Sequence, residues 1–219
     1  MLPSNAGLAT NAACRQDGCY GIRGKSLDAI LALASGYALG SVPFGLLLAL
    51  AAGQGDIRKI GSGNIGATNV LRTGNKGLAA ATLLLDLLKG FAAVFLVWHL
   101  WPDFAPLAAL GAVLGHCFPV WLRFKGGKGV ATMAGVCFGL WWPIGLAYAA
   151  VWLGLLAITR ISSASGMSAA VAAPLAAAAL GRFDIVPVLA AIALIVVLLH
   201  RANIARLLKG EEPRIGRAK

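Results

Sequence analysis

Residues 77–101 read GLAAATLLLDLLKGFAAVFLVWHLW, an apolar run in which the charged residues are Asp86 and Lys89. A helix needs about 20 apolar residues to cross the roughly 30 Å core of a bilayer, and this run lacks the alternation of a membrane β-strand. We therefore predict a membrane-spanning helix. Asp86 and Lys89 share one helix face because they are three residues apart. Since unpaired charges are costly in a membrane, we expect the two residues to pair with each other or with a neighbouring loop. They would form either a structural ion pair near the membrane surface or a direct substrate contact.

The composition extends this prediction to the whole chain. Of its 219 residues, 59% are hydrophobic and 12% are charged, and the mean hydropathy is +0.80. Soluble domains carry about a quarter of their residues as charged side chains. The composition therefore excludes a soluble globular protein and predicts an all-α, polytopic membrane protein surrounded by the lipid bilayer.

The number of membrane helices depends on one long apolar stretch. Residues 130–158 are interrupted by Trp141, Trp142 and Pro143, which can form an interfacial aromatic turn between two short helices. One helix here gives six spans in all, whereas two helices give seven. The remaining apolar runs cover residues 27–52, which Pro43 should kink, and residues 77–101, 104–122, 162–181 and 185–199.

The distribution of positive charge favours seven spans. In that arrangement fourteen of the nineteen Lys and Arg residues lie in polar segments on one side of the membrane. Because positively charged loops stay in the cytoplasm, we predict about seven transmembrane helices, with the N-terminus outside and the C-terminus cytoplasmic. The formal net charge of +11 then reflects topology and anion binding, and we expect no nucleic-acid partner.

The first 26 residues are polar and lack the apolar core of a signal peptide. We predict a disordered tail over residues 1–26, consistent with a start codon assigned too early, and a single membrane-embedded domain over residues 27–219. Four cysteines without CxxC or Cys/His spacing do not indicate a metal site. Cys117 and Cys137 lie in apolar sequence and are expected to be buried.

Residues 61–76, GSGNIGATNVLRTGNK, form a first polar segment with four glycines, three asparagines and two cations but no carboxylate. Amides in glycine-rich turns, together with hydroxyls, Asn side chains and an Arg, suit an oxyanion such as phosphate. A flexible, hydrated loop between membrane helices would have the same composition. Both interpretations stay open for this segment alone.

A second polar segment, RFKGGKGVAT, covers Arg123–Thr132. Its centre interleaves glycines with Lys125 and Lys128 at the start of the next predicted helix, where exposed amides attract anions. A basic patch touching anionic lipid is the alternative, but lipid attraction has no need of glycines, so a phosphate cradle is favoured. The segment is not a nucleotide P-loop, because Gly129 stands where that motif needs Ser or Thr.

The C-terminal segment, residues 200–219, reads HRANIARLLKGEEPRIGRAK. Its apolar residues predict a short amphipathic helix that Gly210 ends. His200 and Asn203 lie one turn apart at its start, and Glu212 follows just after its end. A solvated tail on the membrane surface is the alternative; we accept it for the terminal six residues, whereas we interpret His200 and Asn203 as functional.

In their order along the chain, GSGNIGATNVLRTGNKG, DLLKG, GHCFPVWLRFKGGKGVAT and HRANIARLLKGEEPRIG closely resemble the acyl-phosphate-dependent glycerol-3-phosphate acyltransferases of bacteria, a resemblance that extends from about residue 27 onward. It implies a seven-helix enzyme of the bacterial cytoplasmic (inner) membrane, with its active site facing the cytoplasm. It also implies transfer of a fatty acyl group from acyl phosphate to the 1-hydroxyl of glycerol 3-phosphate. The products would be lysophosphatidic acid and inorganic phosphate, in the first acylation of phospholipid synthesis.

The same resemblance implies roles for individual residues. It places His200 and Asn203 in catalysis. Substrate binding is implied for a larger set, which comprises Ser62, Asn69, Arg72, Lys125, Gly126, Gly127, Lys128, Gly129 and Glu212.

The chemistry of an acyl phosphate agrees with these features. It is an activated mixed anhydride, so we expect no metal, no cofactor and no covalent nucleophile, and donors that hold the departing phosphate would stabilise the transition state. Either His200 or the substrate's own phosphate can accept the proton of the attacking hydroxyl. A transporter of a phosphorylated solute and a lipid-binding structural protein are the rival classes. The sequence leaves the oligomeric state open.

Overall fold

A computed structural model of the protein describes residues 24–216. The predicted tail lies outside the described residues up to position 23, and residues 24–26 belong to the first helix. Between residues 24 and 216 the chain forms helices and no strand. The α-helices are α1 (24–40), α2 (Phe44–Ala51), α3 (Ala67–Val70), α4 (Lys76–Leu100), α5 (Ala105–Cys117), α6 (Val130–Leu140), α7 (Trp142–Thr159), α8 (Ser162–Ala179), α9 (Val186–Leu199) and α10 (Arg201–Leu208).

Four helical segments of the described chain are long and apolar enough to cross a bilayer, and they cover Gly24–Ala51, Lys76–Leu100, Pro102–Leu122 and Trp142–Thr159. A fifth span results if α9 and α10, which meet at an angle of 60°, are counted as one broken helix. This all-helical architecture confirms the predicted fold class. The count of seven spans and the orientation of the termini stay predictions.

The long apolar stretch after the second polar segment is two helices. Trp141 separates α6 from α7 and adopts an extended conformation, with φ −166° and ψ 118°. Pro143 lies in the first turn of α7, where its missing N–H leaves no hydrogen bond unmade. The break between two helices that the Trp-Trp-Pro sequence predicts is therefore present. Two other breaks also fall where the sequence places them, at Pro43 between α1 and α2 and at Gly210 after α10.

Helices α1 and α5 cross through glycines spaced four residues apart. A Cβ at Gly36 or Gly40 of α1, or at Gly111 or Gly115 of α5, would overlap a backbone carbonyl oxygen of the facing helix. Small residues at such crossings let membrane helices approach closely, because lipid offers no hydrophobic force to hold them together. The close approach fixes the end of α5, from which the second polar segment departs.

Helices α4 and α6 also approach closely at glycines. Gly90 of α4 lies against the backbone of Thr132, and Gly135 of α6 lies against the backbone of Leu87. The start of α6 is thereby held beside the middle of α4, where Asp86 and Lys89 face the protein interior. This crossing positions the second polar segment close to the first.

The glycine crossing predicts a specific loss of stability. Gly111→Ala should lower the thermal unfolding midpoint in detergent by about 5 °C or more, because the added methyl meets the Leu33 carbonyl and separates two packed helices. Gly154→Ala is the matched control, since Gly154 lies in α7 with open space around it and gains the same helix propensity. Equal midpoints for the two variants would contradict the packing of α1 on α5.

Candidate active site

Asn69 organises the first polar segment. Its side-chain NH₂ donates to the carbonyl oxygens of Ile57 and Asn64, each at 2.8 Å, and its oxygen accepts from the Ser62 amide at 3.0 Å and the Ser62 hydroxyl at 3.3 Å. An amide side chain has two donor hydrogens and one oxygen, so these bonds use its capacity. In this structure Asn69 shapes the loop that presents Ser62.

Arg72 presents a free cation beside that loop. Its side chain packs over Gly61, which adopts a left-handed φ of 56°. Among residues 24–216 the Arg72 guanidinium has no hydrogen-bond or ion-pair partner. A guanidinium has five N–H donors in a planar fork that matches phosphate. Arg72 is therefore available to an anionic ligand.

The second polar segment folds back on the end of α5. The amides of Gly126 and Gly127 donate to the carbonyl oxygens of Cys117 and His116, at 3.1 and 3.0 Å. These bonds satisfy carbonyls that a helix C-terminus leaves free. Gly129 then takes a left-handed φ of 84° as the N-cap residue of α6, a conformation that favours glycine.

The two lysines of this segment point in different directions. Lys125 is exposed, whereas Lys128 is partly buried and donates through Nζ to the side-chain oxygen of Asn203 at 2.5 Å. Asn203 in turn donates to Glu212 Oε1 at 2.6 Å. This chain of hydrogen bonds joins the second polar segment to the C-terminal segment.

Glu212 is the acceptor at the end of this chain of hydrogen bonds, and it accepts hydrogen bonds from two further residues. Ser163, at the start of α8, donates to its Oε1 at 2.6 Å, and Arg206 donates to its Oε2 at 2.7 Å. Burial raises the pKa of the Glu212 carboxyl, but the hydrogen bonds from Ser163, Asn203 and Arg206 outweigh that effect and hold the pKa below its usual range. Glu212 is therefore an ionised anchor.

His200 is buried at the bend between α9 and α10. Its Nδ1 lies 2.7 Å from the Val196 carbonyl oxygen, which can only accept, so Nδ1 carries the proton and Nε2 is the nitrogen that can accept a hydrogen bond. Burial lowers the pKa of the imidazole, and the charge of Lys128 acts in the same direction against the bond to Val196. His200 is thus held as a neutral ring.

These residues surround a cavity of about 510 Å³. It lies where the starts of α3, α6 and α8 meet the bend before α10 and residues 212–216. Eight of the predicted site residues line it, namely Ser62, Asn69, Arg72, Lys128, Gly129, His200, Asn203 and Glu212. Lys125, Gly126 and Gly127 do not line it, although the last two hold the backbone from which Lys128 projects.

The cavity also contains residues that the sequence did not single out. Ser163, Arg206 and Arg214 line it, and the only hint of Ser163 in the sequence is its place at the start of an alanine-rich helix. Asp86 and His116 form its buried end. Asp86 pairs with Lys89 at 2.7 Å, which confirms the expected ion pair.

The electrostatic balance of the cavity favours an anion. Arg206 is paired with Glu212 and Asp86 with Lys89, which leaves Arg72, Lys128 and Arg214 as the cations without a carboxylate partner among the described lining residues. Burial lowers the pKa of Lys128, and repulsion by the positive charges of Arg206 and Arg72 lowers it further. An incoming anion would relieve the repulsion among these three cations. The amides at the start of α6 add the positive end of a helix dipole.

One wall of the cavity is apolar. Leu83, Val130 and Trp152 line it alongside the polar groups, and Leu83 and Trp152 belong to helices long enough to cross a bilayer. Among residues 24–216 no group of three His, Cys, Asp or Glu side chains is arranged to hold a metal ion. The site therefore suits a ligand with a phosphate at one end and a hydrocarbon portion beside it.

The chain matches the family model described as glycerol-3-phosphate acyltransferase over residues 30–210. The chain belongs to the glycerol-3-phosphate acyltransferase family. Among its relatives, the glycerol-3-phosphate acyltransferase of Erythrobacter litoralis is 68% identical over 191 residues, which cover 87% of this chain and 97% of that protein. The corresponding protein of Novosphingobium aromaticivorans is 67% identical over 193 residues, covering 88% of this chain and 98% of the relative.

Solved structures of this family have the same fold. The crystal structure of PlsY, an integral membrane glycerol 3-phosphate acyltransferase, in its glycerol 3-phosphate form has a TM-score of 0.81 and 36% identity, covering 86% of this chain and 96% of that one. Its lysophosphatidic acid form gives a TM-score of 0.79 and 35% identity, covering 86% and 95%. Membership of the acyltransferase family, which the sequence motifs indicate, is confirmed.

The Glu212 network predicts how stability depends on pH. Because the folded-state pKa of Glu212 lies below its ordinary value of 4.5, its ionised form stabilises the fold above that value, and the contribution is lost as the pH falls through the lowered pKa. Unfolding midpoints of the wild type and Glu212→Gln should therefore differ by a constant amount near neutral pH and converge below about pH 4.5. The exposed neighbour Glu211 supplies the control, Glu211→Gln. A difference in unfolding midpoint between the wild type and Glu212→Gln that persists unchanged below pH 4.5 would contradict the role of ionised Glu212 as an anchor.

Proposed function

We propose that this protein transfers a fatty acyl group from acyl phosphate to the 1-hydroxyl of glycerol 3-phosphate. The products are lysophosphatidic acid and inorganic phosphate. The observation that carries the proposal is a single cavity in which three unpaired cations and the start of α6 lie beside an apolar wall of membrane helices. Family membership supports the acceptor and the reaction, while the chemistry of the site supports the donor.

An acyl phosphate fits this cavity better than a thioester donor does. Its leaving group is a phosphate, whose growing charge Lys128 and the α6 amides would stabilise. The 1-hydroxyl attacks the acyl carbon, a new ester C–O bond forms, and the C–O bond to phosphate breaks. The hydroxyl proton passes to a phosphate oxygen of glycerol 3-phosphate or to Nε2 of His200. No metal ion or organic cofactor takes part in these steps.

The residues of the cavity divide the work. We assign Arg72, Ser62 and Lys128 to phosphate binding, with Gly129 opening the start of α6 to the ligand. His200 and Asn203 orient the glycerol phosphate, and Glu212 fixes Asn203 and Arg206 against each other. Gly126 and Gly127 act through their backbone amides, and Asn69 holds the first polar segment through its side chain. Lys125 remains a substrate-binding prediction from the sequence alone.

We further propose that the enzyme is a multi-pass protein of the bacterial cytoplasmic (inner) membrane with seven spans. The cavity faces the cytoplasm and the N-terminus lies outside. The lysines and arginines support this orientation, because fourteen of the nineteen fall on the cavity side in a seven-span arrangement.

The reaction is tested by following phosphate release by purified protein in detergent, with palmitoyl phosphate as donor. We expect release only when glycerol 3-phosphate is present, and no transfer when acyl-CoA replaces the acyl phosphate. In the same assay Lys128→Ala should lower kcat/KM by about ten- to a hundredfold, because it removes a charge from the departing phosphate. Lys76→Ala, at the exposed start of α4 and away from the cavity, is the matched control.

Two outcomes would overturn the assignment of the reaction. Transfer from acyl-CoA alone would remove acyl phosphate as the donor. Folded protein that transfers from neither donor would favour a transporter or a structural protein.

The orientation is tested by single cysteines at two exposed positions. In a background with Cys14 and Cys19 replaced by Ser, Phe183→Cys should react with a membrane-impermeant maleimide added to intact cells, because residue 183 is exposed in the turn between α8 and α9. Lys209→Cys, exposed beyond α10, should react only after the membrane is opened. Cys117 and Cys137 are buried and provide little background. The reverse labelling pattern would contradict the proposed orientation in the membrane.

A further inference from the structure

His116 is a buried polar residue that has no part in the reaction proposed above. It lies in the last turn of α5, and its side chain is 4% exposed. Its Nδ1 has no hydrogen-bond partner among the described residues and lies 3.7 Å from Asp86 Oδ1. A buried ring in this position needs a reason, because an unsatisfied polar group costs stability.

The acidic side of the ring is held by a chain of contacts. Asp86 forms its ion pair with Lys89, and Lys89 Nζ donates to the Val42 carbonyl oxygen at 2.7 Å. Val42 lies at the break between α1 and α2, where a helical partner for its carbonyl is missing. The carboxylate beside His116 is therefore fixed by a lysine of its own helix, which is in turn anchored at the break between α1 and α2.

The opposite side of the ring lies against the second polar segment. A Cβ at Gly127 would overlap Nε2 of His116 and lie 2.7 Å from its Cε1. Gly127 is absent from the residues with positive φ, so alanine could adopt its backbone conformation, and the three atoms nearest to the added Cβ all belong to the imidazole. The ring is thus packed between the Asp86 carboxylate and the backbone that leads into Lys128.

Gly126 provides a useful contrast. A Cβ there would meet the carbonyl oxygens of His116 and Cys117 and the ring of Pro119. These atoms belong to the backbone and to a proline, and removing the imidazole would not move them. Different groups therefore exclude a side chain at the two neighbouring glycines.

We propose that His116 is a positioning residue for acyl transfer. Its ring sets the position of the Gly127 backbone and thereby the position of Lys128 in the cavity. This inference rests on the proposed function. His116 acts through the loop and does not touch the reacting atoms. A displacement of about 1 Å at such a position can cost about a hundredfold in rate, so the effect is measurable.

The test is a cycle of variants that comprises His116→Ala, Gly127→Ala, Gly126→Ala and the two double variants with His116→Ala. Gly127→Ala should raise the KM of a phosphorylated substrate by about tenfold, because the added methyl displaces the loop from the imidazole. His116→Ala should cost about three- to tenfold in kcat/KM. Adding His116→Ala to Gly127→Ala should restore the KM to within about threefold of that of His116→Ala alone, since the methyl then fills the space of the ring.

The rescue must be specific. His116→Ala should not restore Gly126→Ala, whose methyl meets backbone atoms. Losses in the Gly127 double variant that equal the product of the single losses would overturn the proposal. Equal rescue of both glycine variants would also overturn it, because general loosening of the fold would then explain the data. A loss of folded protein alone would lower the apparent kcat and leave KM unchanged.

A second measurement separates this inference from the proposed reaction. The rise in unfolding midpoint that inorganic phosphate produces is measured for the same variants, and it should be lost in Gly127→Ala and regained in its double variant. Wild-type protein that binds phosphate but transfers no acyl group would refute the proposed function while the rescue pattern still tests His116. No phosphate effect on the wild type would overturn both.

Discussion

The hydrogen bond from Lys128 to Asn203 joins two segments that are 75 residues apart in the sequence. It fixes the lysine that lies two residues before α6 against the short helix α10. Through Glu212 the same network reaches Ser163 at the start of α8 and Arg206 in α10. Three separate parts of the chain, namely the second polar segment, the start of α8 and α10, are therefore joined through one ionised carboxylate.

The network can form because glycine lets the helices approach. Between α1 and α5 and between α4 and α6, positions that lack a Cβ bring backbones together, which places helix starts side by side at one end of the bundle. Helix starts are the positive ends of helix dipoles and carry unpaired amides. These helix starts thus concentrate positive potential beside the apolar lining of the cavity.

Much of this structure could be predicted from local sequence. The length and hydropathy of residues 77–101 predict α4, and the Trp-Trp-Pro sequence predicts the break before α7, because bilayer thickness and proline geometry act locally. Lys128, Asn203 and Glu212 were placed in one site by their motifs. Their mutual hydrogen bonds were not predictable, because they depend on how α10 folds back across distant helices.

Other features of the site have no local signature. Gly126 and Gly127 suit a phosphate cradle and a tightly packed backbone equally well by sequence, and in the structure their amides donate to the end of α5. Lys125 and Lys128 differ only in which way the chain turns between them. Nothing in the local sequence distinguishes Ser163 and Arg206 from other helix residues, and only their hydrogen bonds to Glu212 place them in the site. In each case the deciding contact comes from a part of the chain that is remote in sequence.

The most direct measurement is a structure of the protein with glycerol 3-phosphate bound, solved in a lipid environment at neutral pH. We expect the ligand phosphate inside the cavity, within hydrogen-bond distance of at least one unpaired cation, Arg72, Lys128 or Arg214, with the glycerol beside His200. A well-ordered phosphate bound outside the cavity, with these side chains unmoved, would contradict the central claim that this junction of helix starts is the active site.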